Sequence, residues 1–415
     1  MGGRGHGRVE AVVSEPALDD LELFDPLARD AHADPYPIYA TLRDRAPLHR
    51  TPREAWLVLA YDPAVTILRD HDRFSVEHSR YRKQRDDDGL GPTERGLENV
   101  MLFKDPPDHT RLRALVNKAF TPRVVEQLRA RIHQIVDELL DEVAGRGEMD
   151  VISEFAYPLP VRVIAEMLGV PPEDRDRFKE WSRGVAPILD PDLDEATFVT
   201  VAESGLALAA YFEELVTQRR KDPRSDLVSE LIAAEDEGEK LTEEELRATL
   251  ILLLVAGHET TMNLIGNGLY ALLRNREQMQ RLIEDPTLSK TAVEELLRFD
   301  GPVHLTARTA KEPVEVAGVQ LDEGDMCVVV LGAANRDPGQ FPDPDRLDIT
   351  RHPNRHIAFS AGGHFCVGAT LARVEGQIAL ETLLHRFPKI ALAREEIGYR
   401  ATVTLRGLEA LPVSF

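Results

Sequence analysis

Apolar positions recur at helical spacing along most of this chain and alternate only in short stretches of its last third. The longest pattern begins at Thr242, which stands three residues before Glu245 in a Thr-x-x-Glu capping box, and runs without a proline to about residue 274. At 1.5 Å per residue such a helix spans roughly 45–50 Å, enough to cross a whole domain. Its middle, Leu250-Ile251-Leu252-Leu253-Leu254-Val255-Ala256-Gly257, is apolar all round, which predicts burial. His258-Glu259-Thr260-Thr261 follows at once, and a carboxylate and hydroxyls at such depth are costly without partners. Gly257 removes a side chain where something else must fit. Shorter helices are predicted over residues 35–45, 63–70, 105–113, 123–142, 171–189, 194–221 and 291–298, with Asp190-Pro191-Asp192 breaking one long pair. Strands are predicted over 55–60, 308–319 and 326–331, and the alternation of 401–415 fits a hairpin. The pattern describes a mainly helical chain with a small β region.

Residues 1–20, glycine-rich and then acidic without periodicity, read as a disordered segment, and no linker, repeat or low-complexity tract divides 21–415, so one domain is expected. Residues 75–99 are polar and irregular, with Arg80, Arg82, Lys83 and Arg85 ahead of Asp86-Asp87-Asp88. A loop of that length is usually functional or mobile, although its charges read equally well as a solvated run. The net charge of −22 argues against nucleic acid or an anionic membrane as partner. No apolar run reaches membrane-spanning length and residues 1–16 hold no signal core, so a cytoplasmic protein is expected. There are 2 cysteines. Cys327 falls in a predicted buried strand, no Cys-x-x-Cys offers a zinc site, and the count suits a reducing compartment.

The second cysteine changes the picture. Phe359-Ser360-Ala361-Gly362-Gly363-His364-Phe365-Cys366-Val367-Gly368 sets it in a glycine-rich loop directly before a helical pattern. The glycines permit sharp turns and close approach to something bulky, and a helix N-terminus favours thiolate over thiol. This combination points to an axial metal ligand more than to a disulfide or a nucleophile; an inert buried cysteine is the plain alternative. The spacing Phe-x-x-Gly-x-His-x-Cys-x-Gly, carried by Phe359, Gly362, His364, Cys366 and Gly368, resembles the haem-binding signature of the cytochromes P450. Ser360 stands where the commonest version has glycine.

Three further motifs extend the resemblance in the family's order. Ala256-Gly257-x-Glu259-Thr260-Thr261 is similar to the oxygen-activation motif, in which a hydroxyl orients oxygen and an acid connects a proton relay to bulk water. The plain alternative for Thr260 is a bond to the carbonyl four residues back, with a local helix bend, and both can hold. His109-x-x-x-Arg113 occupies the place of a pair that reaches the haem propionates, with Arg308 and His364 as further implied propionate ligands. Glu295-x-x-Arg298 is implied to join Arg346, of Phe341-Pro342-Asp343-Pro344-Asp345-Arg346, in pinning the region behind the haem.

The resemblance implies the P450 fold, with haem between the long central helix and the cysteine-loop helix. Residues 75–99 are implied to roof the substrate pocket, and 171–189 with 194–221 to cover it. It implies haem b as cofactor, Cys366 as iron ligand, Ala256 and Gly257 beside the haem, Thr260 and Glu259 as proton handlers, and O2 as co-substrate. The reaction expected is monooxygenation of an apolar or amphipathic small molecule. Electrons would come from a ferredoxin-type donor with its reductase, docking on basic islands in 109–131 and 351–374; the protein would be a monomer. A peroxygenase of the same fold typically lacks the acid–threonine pair found here, and a haem sensor would need no proton relay.

Overall fold

The computed structural model describes residues 34–81, 99–189, 194–234 and 238–415. The segment expected to be disordered, the Arg82–Asp88 charge run and the Asp190-Pro191-Asp192 break lie outside these residues.

The central helix is Glu243–Arg274, 32 residues long. The capping box forms as read: Glu245 N donates to Thr242 Oγ1 at 3.2 Å, and Thr242 N donates to the Glu245 carboxylate at 2.9 Å. Leu250, Leu254, Ile265, Leu269 and Leu272 are fully buried along it. By length and composition this helix could cross a membrane, contrary to the expectation that no such run exists, but 67% of its most apolar window is buried inside the protein. It is a core helix, held by packing on several sides.

The helix that follows the cysteine loop, Ala369–Arg386, crosses it near Leu264. Gly376 makes the crossing close, since a Cβ there would lie 3.0 Å from Leu264. Gly268 likewise meets Leu296 of helix Ser289–Asp300 and Leu380. Helices Pro122–Val143 and Pro158–Met167 complete the main core around this crossing. Cys366 lies ten residues before Gly376, in the loop that leads into its helix, and Thr260 four before Leu264, so both lie on the N-terminal side of the crossing.

A five-stranded sheet stands beside the helices in the order Leu48–Arg50, Trp56–Val58, Met326–Val329, Thr306–Ala310, Phe74–Ser75. Trp56–Val58 and Met326–Val329 pair in parallel, and the other neighbours are antiparallel. Arg308 is paired in register with Cys327, so the strand that buries the second cysteine also fixes Arg308. Helices Arg175–Val185 and Glu195–Lys221 pack together and adjoin the central helix, as their apolar spacing predicts.

Three expectations are corrected. Residues 401–415 do not form a simple hairpin: Pro412–Ser414 pairs with Glu148–Asp150 and Ala391–Leu392 instead. The predicted strand 308–319 breaks at residues 311–313 into Thr306–Ala310 and a separate hairpin, Val314–Val316 with Val319–Leu321, which turns at Ala317-Gly318, where φ is +50° and +80°. Helix Pro158–Met167 was not foreseen, because prolines 158 and 160 mask its start; in a first turn they are tolerated.

Candidate active site

Ala248, Leu252, Ala256 and Thr260 are incompletely covered on the otherwise buried middle of the central helix, with Arg247, Ile251 and Gly257 beside them. The first four follow the i, i+4 spacing, so one face of the helix borders open space. Gly257 agrees, since a Cβ added there would meet only Ile164, at 3.8 Å. On the cysteine loop, Phe365 and Cys366 are exposed although Ala361 and Ala369 on either side are buried.

The loop's backbone is built to present Cys366. Gly362 has φ +71°, and a Cβ there would lie 2.5 Å from Leu68 O. The close approach expected of this glycine is met by the end of helix Tyr61–Arg69. Cys366 N donates to Phe359 O at 3.0 Å, closing the loop, and Gly368 lies beside the sulfur, its Cβ position 3.9 Å away. Ser360, where glycine is usual, has φ +63° and a buried Oγ without a hydrogen-bond partner among the described residues. A left-handed non-glycine residue costs about 1–2 kcal/mol. Ser360→Gly should therefore raise stability by about 1 kcal/mol, read as a higher denaturation midpoint with an unchanged haem spectrum.

Cys366 is open to the space beside the loop yet surrounded by protein beyond it; that desolvation pushes its thiol up, and the Gly368 and Ala369 amides, Arg113 and Arg373 pull against it without prevailing. The amides at the helix N-terminus thus favour the thiolate, as the sequence reading expected, but do not by themselves outweigh the desolvation.

His109 and His364 come together from opposite ends of the chain, ring centroids 4.0 Å apart. Arg113, one turn after His109, donates to Phe365 O at 2.5 Å. Arg308 is buried, bonded only to Ala307 O at 2.7 Å and Thr306 Oγ1 at 3.3 Å, with no carboxylate in ion-pair range among the described residues. Burial first, then the neighbouring arginines, holds His109 at about 4; burial, Arg308 and His109 hold His364 at about 2. Burial lowers Arg308 to about 10. Among the described residues the acid nearby is Asp105, which is occupied by Ser75 Oγ at 2.6 Å, Val76 N at 3.0 Å and Lys311 Nζ at 3.3 Å. His109 Nε2 is buried without a hydrogen-bond partner among the described residues. Four nitrogen donors thus crowd a site without a spare carboxylate, next to an accessible cysteine. A flat dianion that binds sulfur through a metal fits this set, as haem with its two propionates does.

On the central helix, Thr260 Oγ1 donates to Ala256 O at 2.7 Å, so the back-bonded alternative is realised. Its lone pairs remain available. Glu259 is buried, yet two partners outweigh burial and hold it at about 2: His258, and Arg400, whose Nη1 lies 3.0 Å from Oε2. Arg400 also donates to Asn263 Oδ1 at 2.7 Å. Neither Arg400 nor His258 was assigned a role from the sequence; an apolar helix ending in a carboxylate was the only signal that partners must exist.

Behind the cysteine helix, Glu295 and Arg298 pair with no side-chain exposure, at 2.7 Å. Their third member is Arg351, whose Nε lies 3.1 Å from Glu295 Oε2, and not Arg346. Arg346 is exposed and offers only its carbonyl, to Arg298 at 3.3 Å and Arg351 at 3.2 Å, because the turn after Asp343 (φ +48°) directs its side chain outward.

A profile described as Cytochrome P450 matches residues 206–394. The polyketide biosynthesis cytochrome P450 PksS of Bacillus subtilis is 42% identical over 94% of this chain and 98% of its own. This chain belongs to the cytochrome P450 family. The PksS structure superposes with a TM-score of 0.87, covering 94% of this chain and 99% of that one at 41% identity. The vitamin D(3) 25-hydroxylase of Pseudonocardia autotrophica is 42% identical over 92% of this chain and 94% of its own. P450BioI, solved with a hexadec-9Z-enoic acid-ligated acyl carrier protein, superposes with a TM-score of 0.85 at 41% identity, covering 92% and 98%. The protein is a P450 haem-thiolate monooxygenase, using haem b and O2 on a small organic substrate with electrons from a redox partner.

Proposed function

We propose that the residues above divide the work as follows. Cys366 ligates the iron; His109, Arg113, Arg308 and His364 hold the propionates; Phe359, Gly362 and Gly368 shape the loop around the ligand; Ala256 and Gly257 leave room for the macrocycle. When bound, haem supplies O2 binding and, through the electron-rich thiolate, favours O–O cleavage. The protein supplies position and protons. Thr260, with its own proton committed to Ala256 O, accepts a hydrogen bond from a water or from substrate-derived groups in the open space. Glu259, fixed between His258 and Arg400, collects protons for that water. Glu295, Arg298 and Arg351 keep the segment behind the cysteine rigid.

The observation that carries this reading is the cluster of His109, Arg113, Arg308 and His364, which makes no ion pair with a carboxylate among the described residues, beside an accessible Cys366. Ala248, Leu252 and Ala256 face the open space, so the substrate presents an apolar surface there. We infer an apolar or amphipathic small molecule, a class in keeping with relatives named for polyketides and vitamin D(3). The test is a ligand-induced spin shift in the haem spectrum, followed by O2-dependent product formation with the same ligand. Product formed equally well from H2O2 without a donor would favour the peroxygenase alternative.

We also infer a cytoplasmic monomer of one domain over 21–415, served by an acidic ferredoxin-type donor. The basic islands expected to receive it are largely compensated: Arg111 pairs with Glu245, Arg129 with Glu126, Arg131 with Glu138 and Glu166, Arg351 with Glu295, and Arg373 with Glu294. Arg123 and Arg355 are exposed and make no ion pair among the described residues. Arg123→Glu with Arg355→Glu should therefore slow reduction by the donor about tenfold at low salt, with a smaller gap at high salt. Arg129→Glu should matter less. Turnover driven by H2O2 should be spared, and equal loss in both assays would refute the docking role.

A further inference from the structure

His258 occupies the variable position of the oxygen-activation motif, and its ring is wholly buried where three elements meet. Nδ1 lies 2.8 Å from Leu254 O. Ser182 Oγ, on helix Arg175–Val185, lies 3.1 Å from Nδ1 and 3.2 Å from Nε2. Nε2 is 3.6 Å from Glu259 Oε1. Tyr157 meets the ring edge-on, centroids 5.8 Å apart, and its hydroxyl donates to Lys179 O at 2.9 Å. Lys179 and Arg183 lie over the Tyr157 ring, and Arg400 approaches Glu259 from the far side. These are the charged and titratable groups facing the pair from the packed elements.

A backbone carbonyl can only accept, so the contact with Leu254 requires the proton on Nδ1. Nε2 is then the nitrogen that gains or loses a proton. Of the two partners of Glu259, a guanidinium keeps its protons, whereas an imidazole ring can both give and take one. A carboxylate so firmly ionised needs such a neighbour if it is to be protonated during turnover.

We propose that His258 is a positioning residue for proton supply, its Nε2 holding one proton against Glu259 Oε1 and lending it to the carboxylate, while Ser182 keeps the ring in place once the proton has left. In that transfer the Nε2–H bond breaks and an O–H bond forms on Oε1, with no change in electron count. The imidazolium and carboxylate become a neutral pair. Nε2 then accepts the Ser182 hydroxyl hydrogen until the ring is reprotonated from solvent. Helix Arg175–Val185 thereby takes part in proton delivery. This rests on the proton role of Glu259 given above.

The test uses the holoenzyme as its diamagnetic ferrous CO complex, labelled with [15N]histidine, with His258 assigned by loss of its signals in His258→Gln. The neutral ring should be the Nδ1–H tautomer, and Glu259→Gln should lower the imidazolium fraction of His258 at pH 7. An Nε2–H tautomer, or an unchanged fraction, would overturn the proposal. In turnover, the rate of product formation should fall with rising pH in the wild type. In His258→Gln it should be about tenfold lower at pH 7 and flat with pH, with the substrate-induced spin shift retained. A wild-type pH profile in that variant would also overturn it. If His258→Gln does not fold, assignment passes to Ser182→Ala, which should raise the imidazolium fraction because the neutral ring loses its donor; no change there counts against the proposal. If Glu259→Gln leaves turnover untouched, the relay role of Glu259 fails instead, whatever the His258 signals show.

Discussion

Cys366→Ser is expected to abolish the thiolate-type spectrum of the reduced CO complex, whether or not haem is retained, and to reduce monooxygenation to background. Serine has nearly the same shape, so the loop should persist with its Cys366 N to Phe359 O bond, and the loss would be of chemistry and not of fold. The same residue predicts how the cofactor leaves and returns. Desolvation by the surrounding protein pushes the free thiol up, so the haem-free protein should carry Cys366 protonated at neutral pH and release that proton on haem uptake. Cys327→Ser is the control. That thiol is fully buried in a strand and pushed up to about 12 by burial and Asp325, so it is neither accessible nor ionised. Its replacement should cost some stability and leave the spectrum unchanged; loss of the spectrum there would reverse the assignment of the ligand.

The cysteine loop was legible because its chemistry is concentrated in ten consecutive residues, where spacing alone encodes the geometry. The same holds for the capping box of the central helix, which depends on groups three residues apart. Legibility fails where partners come from distant segments. Glu259 meets Arg400, 141 residues away, and His258 meets Ser182, 76 residues away. Sequence could say only that a buried carboxylate needs company. Arg346 and Arg351 differ by five residues, and both suit Glu295 by charge. The choice between them is made by a backbone turn at Asp343 that no propensity reveals. Gly362 shows a third kind of limit. Glycine announces a close approach, but what approaches is the backbone at Leu68, supplied by an early helix nearly three hundred residues upstream. Pro412–Ser414 illustrates the last, since alternation marks a strand without naming the strand it joins.

Thr260→Ala should keep consuming reductant and oxygen while forming less product and releasing more H2O2. The hydroxyl hydrogen is already given to Ala256 O at 2.7 Å, so what the variant removes toward the open space is an acceptor for a proton-carrying water. Substrate binding does not depend on that acceptor, and neither does electron entry, so the spin shift and the rate of reduction should stay within about twofold of wild type. Loss of a well-placed proton-handling group costs about 10²- to 10⁴-fold, and waters that reoccupy the methyl's surroundings will hold the effect toward the lower end. Thr260→Ser retains the oxygen and should recover most of the coupling. Glu259→Gln should behave differently, because it removes a carboxylate held at about 2 by His258 and Arg400 and leaves both partners facing an uncharged amide. Proton supply as a whole then slows, so reductant consumption and product should fall together, with little change in their ratio. The deciding quantity is product formed per reductant consumed. A ratio unchanged in Thr260→Ala would mean that the hydroxyl serves only the bond to Ala256, and that the helix, not its threonine, shapes the oxygen site.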